Sequence, residues 1–320
     1  MLYLESPRTD PYFNLALEQY LFDTVGQTQA LFMLWQNANT IVVGKHQNAC
    51  QEVNADFVRR LSGGGAVYHD LGNLNFTFIA AAEDAALDLR LFCQPVARAL
   101  GELGVAAEIS GRNDITVDGR KFSGNAQYRK NGRVMHHGTI LFDSDLEVVG
   151  RALNVPKDKI ESKGVQSVRS RVTNLRPYLP AGVTLEAFKG VLARSVLGEE
   201  RPARYELTDG DLRAVEALRE SRYATWAWNW GASPKYSVRK ERRVEGVGRL
   251  ELYLAVKGGA LTGLEVFGDF FGEGDADALS AALTGCPMEE AAVLRALEGL
   301  DLERQFHNLG AAELARIIVS

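Results

Sequence analysis

The chain has 320 residues, enough for about two domains at roughly 150 residues each. Hydrophobic residues make up 46% and charged residues 24%, which excludes a disordered, collagen-like or coiled-coil chain. The net charge of −5 supplies no basic field for nucleic acid, and no apolar run reaches the roughly 18 residues of a membrane helix.

Three widely spaced cysteines (Cys50, Cys93, Cys286) form neither a disulfide framework nor a CxxC pair. The N-terminal MLYLESPRTD lacks a charged n-region and an apolar h-region, so no secretory leader is expected there. Both features point to a reducing, cytoplasmic location.

Asp10 before Pro11 is a helix start, and Phe13, Leu17 and Tyr20 recur at helical spacing, so the pattern predicts a helix over 11–23. Leu31–Trp35 and Thr40–Gly44, separated by Gln36-Asn37-Ala38-Asn39, read as paired strands. Leu74–Ile79 alternates apolar and polar residues, a half-buried strand. Residues 84–102 read as a helix ending near Gly104. Asp118-Gly119 and Asn131-Gly132 are two-residue hairpin turns, the second leading into Arg133–Phe142. Ser144 with Glu147 makes a capping box opening a further helix, and helices follow at 184–197 and 208–222.

A second block starts with strands at 249–256 and 261–270, joined by Gly258-Gly259, and continues with helices near 275–284, 287–298 and 311–319. Gly231-Ala232-Ser233-Pro234 is the turn-prone boundary, giving domains 1–236 and 237–320. Hairpins and helices without regular βαβ alternation predict an α+β fold for both parts.

Four segments carry chemistry. In Arg59-Arg60-Leu61-Ser62-Gly63-Gly64-Gly65-Ala66-Val67-Tyr68-His69-Asp70, three successive glycines each lose extra backbone entropy on folding. The return is exposed N–H groups that a phosphate or planar ligand can approach, beside two forked guanidinium donors. The same residues also fit a tight turn with surface arginines. Neither a P-loop nor a Rossmann fingerprint is satisfied.

The second segment, Gly111-Arg112-Asn113-Asp114 with Lys121-Phe122-Ser123-Gly124-Asn125-Ala126, puts a lysine just after a hairpin turn. Its ammonium is a compact charge able to bridge two anions, and Asn113 and Asp114 offer hard oxygens suited to Mg²⁺. A strand-edge lysine and a turn-capping carboxylate are the plainer readings. In His136-His137-Gly138-Thr139, adjacent histidines point to opposite faces of a strand, so they do not easily share a metal, and a core or supporting pair is the plainer reading. Lys163–Leu175 holds three basic residues among Gly and Ser, which reads as a mobile positive loop or a solvated connection.

Taken together these segments closely resemble lipoate–protein ligase A. The pattern RRxSGGGAVxHDxGNLN lies at Arg59–Asn75, GRND at 111–114, K-x-SG-x-A at Lys121–Ala126, HHGT at 136–139 and KGVxSVRSRVTNL at 163–175. A WxWNxG segment follows at Trp226–Gly231.

The resemblance implies a large mixed-sheet catalytic domain of the biotin/lipoate ligase type with a small α+β accessory domain. It implies that lipoate and MgATP form lipoyl-adenylate and pyrophosphate. The lipoyl group then passes to a lysine of an acceptor protein, releasing AMP. Acceptors would be lipoyl domains of 2-oxoacid dehydrogenase E2 subunits and the glycine cleavage H protein. By motif position, Arg60, Gly65, Ala66, Val67 and Tyr68 would contact ATP, and Lys121 would touch both the lipoate carboxyl group and the α-phosphate. Asp114 with Asn113 would face Mg²⁺. An aliphatic and aromatic slot for the lipoyl tail would include Trp35 and Phe78.

The nearest rival is a cysteine-dependent octanoyl or lipoyl transferase of the same superfamily, for which Cys50 and Cys93 are the thiols to consider. A non-catalytic binding protein would lack the lysine or the glycine loop, and a biotin ligase fits the motifs less well.

Overall fold

A computed structural model describes residues 1–47, 57–81, 89–111, 113–148, 172–198, 203–229, 238–257, 259–272 and 276–320. The chain forms two units. The first takes Met1–Val42, Cys50–Arg59 and Val67–Asn229; the second takes Val43–Ala49, Arg60–Ala66 and Trp230–Ser320. The glycine triplet therefore groups with the C-terminal residues, a placement that chain order does not reveal.

The first unit is built on strands β1 (Leu2–Glu5), β2 (Leu31–Trp35), β3 (Thr40–Val43), β4 (Phe57–Arg59), β5 (Val67–His69), β6 (Asn73–Ala81), β7 (Ala107–Ser110), β8 (Asp114–Val117), β9 (Arg120–Lys130) and β10 (Arg133–Leu141). Its helices are α1 (Pro11–Asp23), α2 (Arg90–Glu102), α3 (Leu185–Leu197), α4 (Asp209–Leu218) and the single turn α5 (Trp226–Asn229). Seven strands form one sheet in the order β1-β2-β6-β10-β9-β8-β7, and β4-β3-β5 form another.

Local chemistry explains the element ends. The Asp10 carboxylate accepts from Tyr12 N ahead of Pro11, and Thr184 caps α3 at Ala187 N. Both hairpin turns place two residues at positive φ, Asp118 and Gly119 at 49° and 71°, Asn131 and Gly132 at 52° and 69°. That geometry matches the twist of the flanking strands.

Alternation divides the large sheet into two faces. Phe32, Leu34, Phe76, Phe78 and Ile140 point to one side and pack with Val96 and Leu100 of α2 and Phe188 and Leu192 of α3. Each such side chain contributes roughly 1.5–3 kcal/mol when fully buried. Helix α1 covers the other side, where Glu18 bonds Thr77 and His137 and Phe22 meets Tyr128 edge-on.

The second unit holds β11 (Val238–Val244), β12 (Gly248–Lys257) and β13 (Ala260–Gly268), antiparallel in that order, with α6 (Ala276–Leu283), α7 (Glu290–Ala296), α8 (Leu302–Gln305) and α9 (Ala311–Val319). Leu250, Leu252, Leu254 and Leu264 meet Leu279, Leu283, Leu314 and Ile318 in its core. No helix of the described residues is long and apolar enough to cross a membrane.

Several sequence expectations change. Strands β2 and β3 do not pair; β2 lies between β1 and β6, while β3 joins β4 and β5. Asn37 and Ala38 turn the chain toward the second sheet, bonding Asn14 and Thr9. Ser144 is not the expected cap: among the described residues its Oγ meets no hydrogen-bond partner, while Asp145 Oδ1 accepts from Glu147 N. Strands β1, β4, β5, β7 and β11 were not anticipated. The loop 163–171, the boundary 231–234, Arg112 and Cys50 lie outside the described residues.

Candidate functional site

Strand register assembles a row of side chains on the α1 face of the large sheet. Trp35 on β2 is opposite Asn75 on β6, and Asn75 is opposite Thr139 on β10. The Thr139 hydroxyl contacts Gly124 on β9, accepting from its N–H at 3.3 Å, and Gly124 is opposite Asp114 on β8. One row thus crosses five strands, from an indole to a carboxylate.

Lys121 enters the row from one side. A register shift between Ile115 and Thr116 aims its side chain back over Gly124, where a Cβ would sit 3.0 Å from its Nζ. The ammonium pairs with Asp114 Oδ1 at 2.6 Å, both side chains about one-third exposed (36% and 35%). The Lys121 carbonyl accepts from Thr173 N at 2.8 Å, and Arg120 donates to the Val172 carbonyl. The described end of the basic segment is thereby anchored beside this lysine.

At the other end, Trp35 is 4% exposed and its Nε1 donates to Thr77 Oγ1 at 2.9 Å. Thr77 Oγ1 donates to Glu18 Oε1 at 2.5 Å, and His137 Nδ1 lies 3.0 Å from the same oxygen. A buried charge needs such partners. Glu18 and Thr77 were missed in the sequence, while His137 falls in the expected supporting pair; the missed signal was a carboxylate on the apolar face of α1, between Leu17 and Leu21.

Phe78 lies on the opposite face. It packs on Phe32 at 4.8 Å and Phe92 at 5.6 Å between ring centroids. Trp35 and Phe78 therefore cannot line one slot, because residues of opposite parity on paired strands point away from each other. Asn113 spends its main-chain oxygen on Asn125 N and Nδ2, and its own Nδ2 on the Asn125 carbonyl. It holds the turn that presents Asp114.

The glycine triplet is shaped within the second unit. Gly64 sits at φ +88° with its N–H on the Phe270 carbonyl at 3.0 Å, and a Cβ on Gly63 would strike that same oxygen. The Arg60 guanidinium, 6% exposed, donates to the Gly63 and Gly65 carbonyls at 2.6 and 2.8 Å and to Ser62 Oγ at 3.0 Å. These bonds turn the loop carbonyls onto arginine. Gly65 has only Asp269 Cβ near its would-be Cβ, at 3.9 Å.

Arg59, its neighbour, belongs to the first unit. Its N–H donates to Asn229 Oδ1, its Nη2 to the Asn229 carbonyl at 2.7 Å, and Trp228 Nε1 donates to the Arg59 carbonyl at 2.8 Å. The WxWN segment thus anchors the start of the arginine pair. Val67 and Tyr68 pair with Val42 and Ile41. Burial, with Asp70 and Asp145 nearby, raises the Tyr68 hydroxyl pKa. Asp70 accepts from Gly72 N and Asp145 N, fixing the turn after β5.

Cys93 is fully buried on α2 in the apolar core, a poor setting for a thiolate. No group of three or more His, Cys, Asp or Glu among the described residues is arranged to hold a metal by itself. Asp114 offers one carboxylate. That fits Mg²⁺ only in the mode in which substrate phosphates complete the shell.

Comparison with known proteins adds two family matches. The Lipoyl protein ligase A/B catalytic domain matches residues 10–197, and the Bacterial lipoate protein ligase C-terminus matches residues 233–318. A lipoate-protein ligase of Bacillus subtilis is 41% identical across 99% of this chain and 100% of its own length. Among solved structures, P. falciparum LipL1 in complex with lipoate superposes with TM-score 0.84 at 23% identity, covering 99% of both chains. The bipartite lipoate protein ligase of Thermoplasma acidophilum, described with its E2 lipoyl domain, gives 0.65 at 25% identity, covering 74% of this chain and 98% of that one. A lipoate-protein ligase A bound with ATP gives 0.62 at 25% identity, covering 72% and 97%.

Proposed function

The chain belongs to the lipoate–protein ligase family, and on that premise we propose that it joins lipoate to a lysine of an acceptor protein at the expense of ATP. In the first step a lipoate carboxylate oxygen attacks the α-phosphorus of ATP. Lipoyl-adenylate forms and pyrophosphate leaves. In the second step the neutral amine of the acceptor lysine attacks the acyl carbon, an amide forms and AMP leaves.

The observation that carries the site assignment is the row from Trp35 to Lys121. Three strand spacings, about 14 Å, separate Trp35 from the strand that bears Lys121. That span accommodates a medium-chain acid with its ring against the indole and its carboxylate at the ammonium. Asn75 and Thr139 lie between them.

Two anions must meet for adenylation, and charge builds on them in the transition state. A preorganised ammonium aligns them and offsets that charge, so no side-chain nucleophile is needed. We assign this role to Lys121, with Asp114 setting its position. Asp114, with Asn113 behind it, is also the Mg²⁺ side of the site; the ion would neutralise phosphate charge. Arg60, Gly65, Ala66, Val67 and Tyr68 are assigned to ATP, Arg60 by holding the loop. Phe78 is assigned to the core.

The acceptors we propose are lipoyl domains of E2 subunits and the glycine cleavage H protein. A T. acidophilum relative described with its E2 lipoyl domain supports this. The cytoplasm, the proposed location, suits three separated cysteines. Residues 1–236 and 237–320 are proposed as catalytic and accessory domains, in line with the two family matches. Intact-mass measurement of a purified lipoyl domain after incubation with protein, ATP, Mg²⁺ and lipoate tests the function. A lipoyl mass gain that vanishes when any component is omitted is expected; a gain without ATP would overturn it in favour of acyl transfer.

A further inference from the structure

Beneath the row, on the α2 face of the same strands, lies a polar chain inside an apolar core. His136 is 0% exposed and stacks on Phe92 at 4.9 Å. Gln127 Nε2 lies 3.1 Å from its Nδ1, and its Nε2 lies 3.3 Å from Asn125 Oδ1. Asn125 Nδ2 in turn donates to the Asn113 carbonyl at 3.1 Å and to Ser123 Oγ at 3.2 Å.

The direction of this chain is fixed at its Asn113 end. A carbonyl only accepts, so Asn125 must turn its NH₂ toward Asn113 and its Oδ1 toward His136. His136 must then donate from Nε2 and accept at Nδ1, where the Gln127 NH₂ donates. The imidazolium would set donor against donor at Nδ1, and full burial also disfavours it.

Two further observations show that space is reserved for this chain. A Cβ on Gly138 would collide with Asn125 Oδ1 and the Phe76 ring, so the glycine of the HHGT segment is the opening through which Asn125 reaches His136. Among the described residues, no hydrogen-bond partner reaches the buried Gln127 Oε1. Purely apolar packing would not retain such an amide, because an unmet buried acceptor is costly.

We infer that His136, held as its Nε2–H tautomer between Gln127 and Asn125, is a positioning residue that sets the Asn113–Asp114 turn against Lys121 for adenylation. The inference rests on the role of Lys121 given above. The path is short. Asn125 takes three hydrogen bonds with Asn113, Asp114 follows in register with Gly124, and its carboxylate holds the Lys121 ammonium. A misplaced ammonium loses transition-state stabilisation, while the Trp35 end is untouched.

Glutamine and asparagine separate this from a merely structural role. His136→Gln keeps an N–H donor where Nε2 was, within reach of Asn125. His136→Asn offers its amide only where Nδ1 was, accepting from the Gln127 NH₂, and leaves Asn125 Oδ1 without a donor. His136→Phe keeps the stack on Phe92 and removes both. Lipoate-dependent pyrophosphate exchange by the full chain reads adenylation alone. We expect kcat to fall about 30-fold in the Phe and Asn variants and within about fivefold of wild type in the Gln variant, with lipoate KM within about twofold throughout.

Equal kcat in the Gln and Asn variants would overturn the inference. Loss carried by KM rather than kcat would do the same. Independently of any variant, long-range ¹H–¹⁵N spectra of the wild-type chain should show His136 as the Nε2–H form from pH 6 to 8; a Nδ1–H or doubly protonated ring contradicts it. Absence of exchange in the wild type would instead bring down the ligase reading itself.

Discussion

Thr77 and Phe78 are neighbours on one strand, as are His137 and His136 on the next, yet each pair is split between two environments. On the α1 face, Thr77 and His137 converge on Glu18, and Thr77 also accepts from the indole of Trp35. On the α2 face, Phe78 and His136 lie among the rings of Phe32, Phe76 and Phe92. The first face gathers polar groups around a buried carboxyl group, where we propose the reactants bind; the second holds a packed core in which the polar atoms serve one another. A period of two assigns chemistry to one side of a sheet and rigidity to the other, so the same motif carries both.

The sharpest way to break this contrast is at Lys121. Lys121→Ala should lower lipoate-dependent pyrophosphate exchange by about 10²–10³-fold. Thermal unfolding should barely move, because a pair with both members about one-third exposed contributes at most about 1 kcal/mol. Near-normal exchange would remove the lysine from the chemistry.

Phe78→Ala and Trp35→Ala probe opposite faces. The first opens a cavity in the core and should lower unfolding free energy by about 3–5 kcal/mol in urea titration, with lipoate KM unchanged. The second should raise lipoate KM about tenfold, the equivalent of about 1.4 kcal/mol of lost contact. A reversed pattern would place the acyl slot on the wrong side of the sheet. Gly138→Ala sharpens the link between faces. Its Cβ meets Asn125 Oδ1 and the Phe76 ring, so stability should fall by about 1–3 kcal/mol in the same titration, with weaker exchange.

The smallest effect is a pH dependence. Burial first, and His137 second, hold His136 well below the ordinary imidazole range near 6.5. The unfolded chain therefore takes up a proton below pH 6.5 that the folded chain refuses. Stability from this group is complete above that pH and declines below it, by at most about 1.4 kcal/mol per pH unit. Urea unfolding at pH 7, 6 and 5 should show a flatter decline in His136→Phe; an identical slope would assign the dependence elsewhere.

Much of the fold was legible because local chemistry dictates it. Asp10-Pro11 starts α1, and Asp118-Gly119 and Asn131-Gly132 close hairpins with the positive φ values those residues tolerate. Long-range pairing was not legible. Strand β1 reads as a chain end until it lies parallel to β2, and β3 leaves β2 for another sheet. Of the candidate site, the motifs brought forward Lys121 and Asp114, and the expected apolar slot brought forward Trp35; register puts all three on one face. The same motifs do not state which face of a strand a residue takes, so Phe78 was joined to Trp35. Glu18 stayed hidden for a related reason: a carboxylate in a helix reads as solvated until Thr77 and His137 meet it. Arg60 looked like a free phosphate donor, and its hydrogen bonds to Gly63 and Gly65 depend on a loop conformation that no spacing records.

A crystal structure of the protein with a non-hydrolysable lipoyl-adenylate analogue tests the central claim most directly. The acyl-phosphate junction is expected within hydrogen-bond distance of Lys121 Nζ, with the tail running past Thr139 and Asn75 to the Trp35 indole. A Lys121 ammonium turned to solvent, or a tail lodged beside Phe78 and α2, would contradict it.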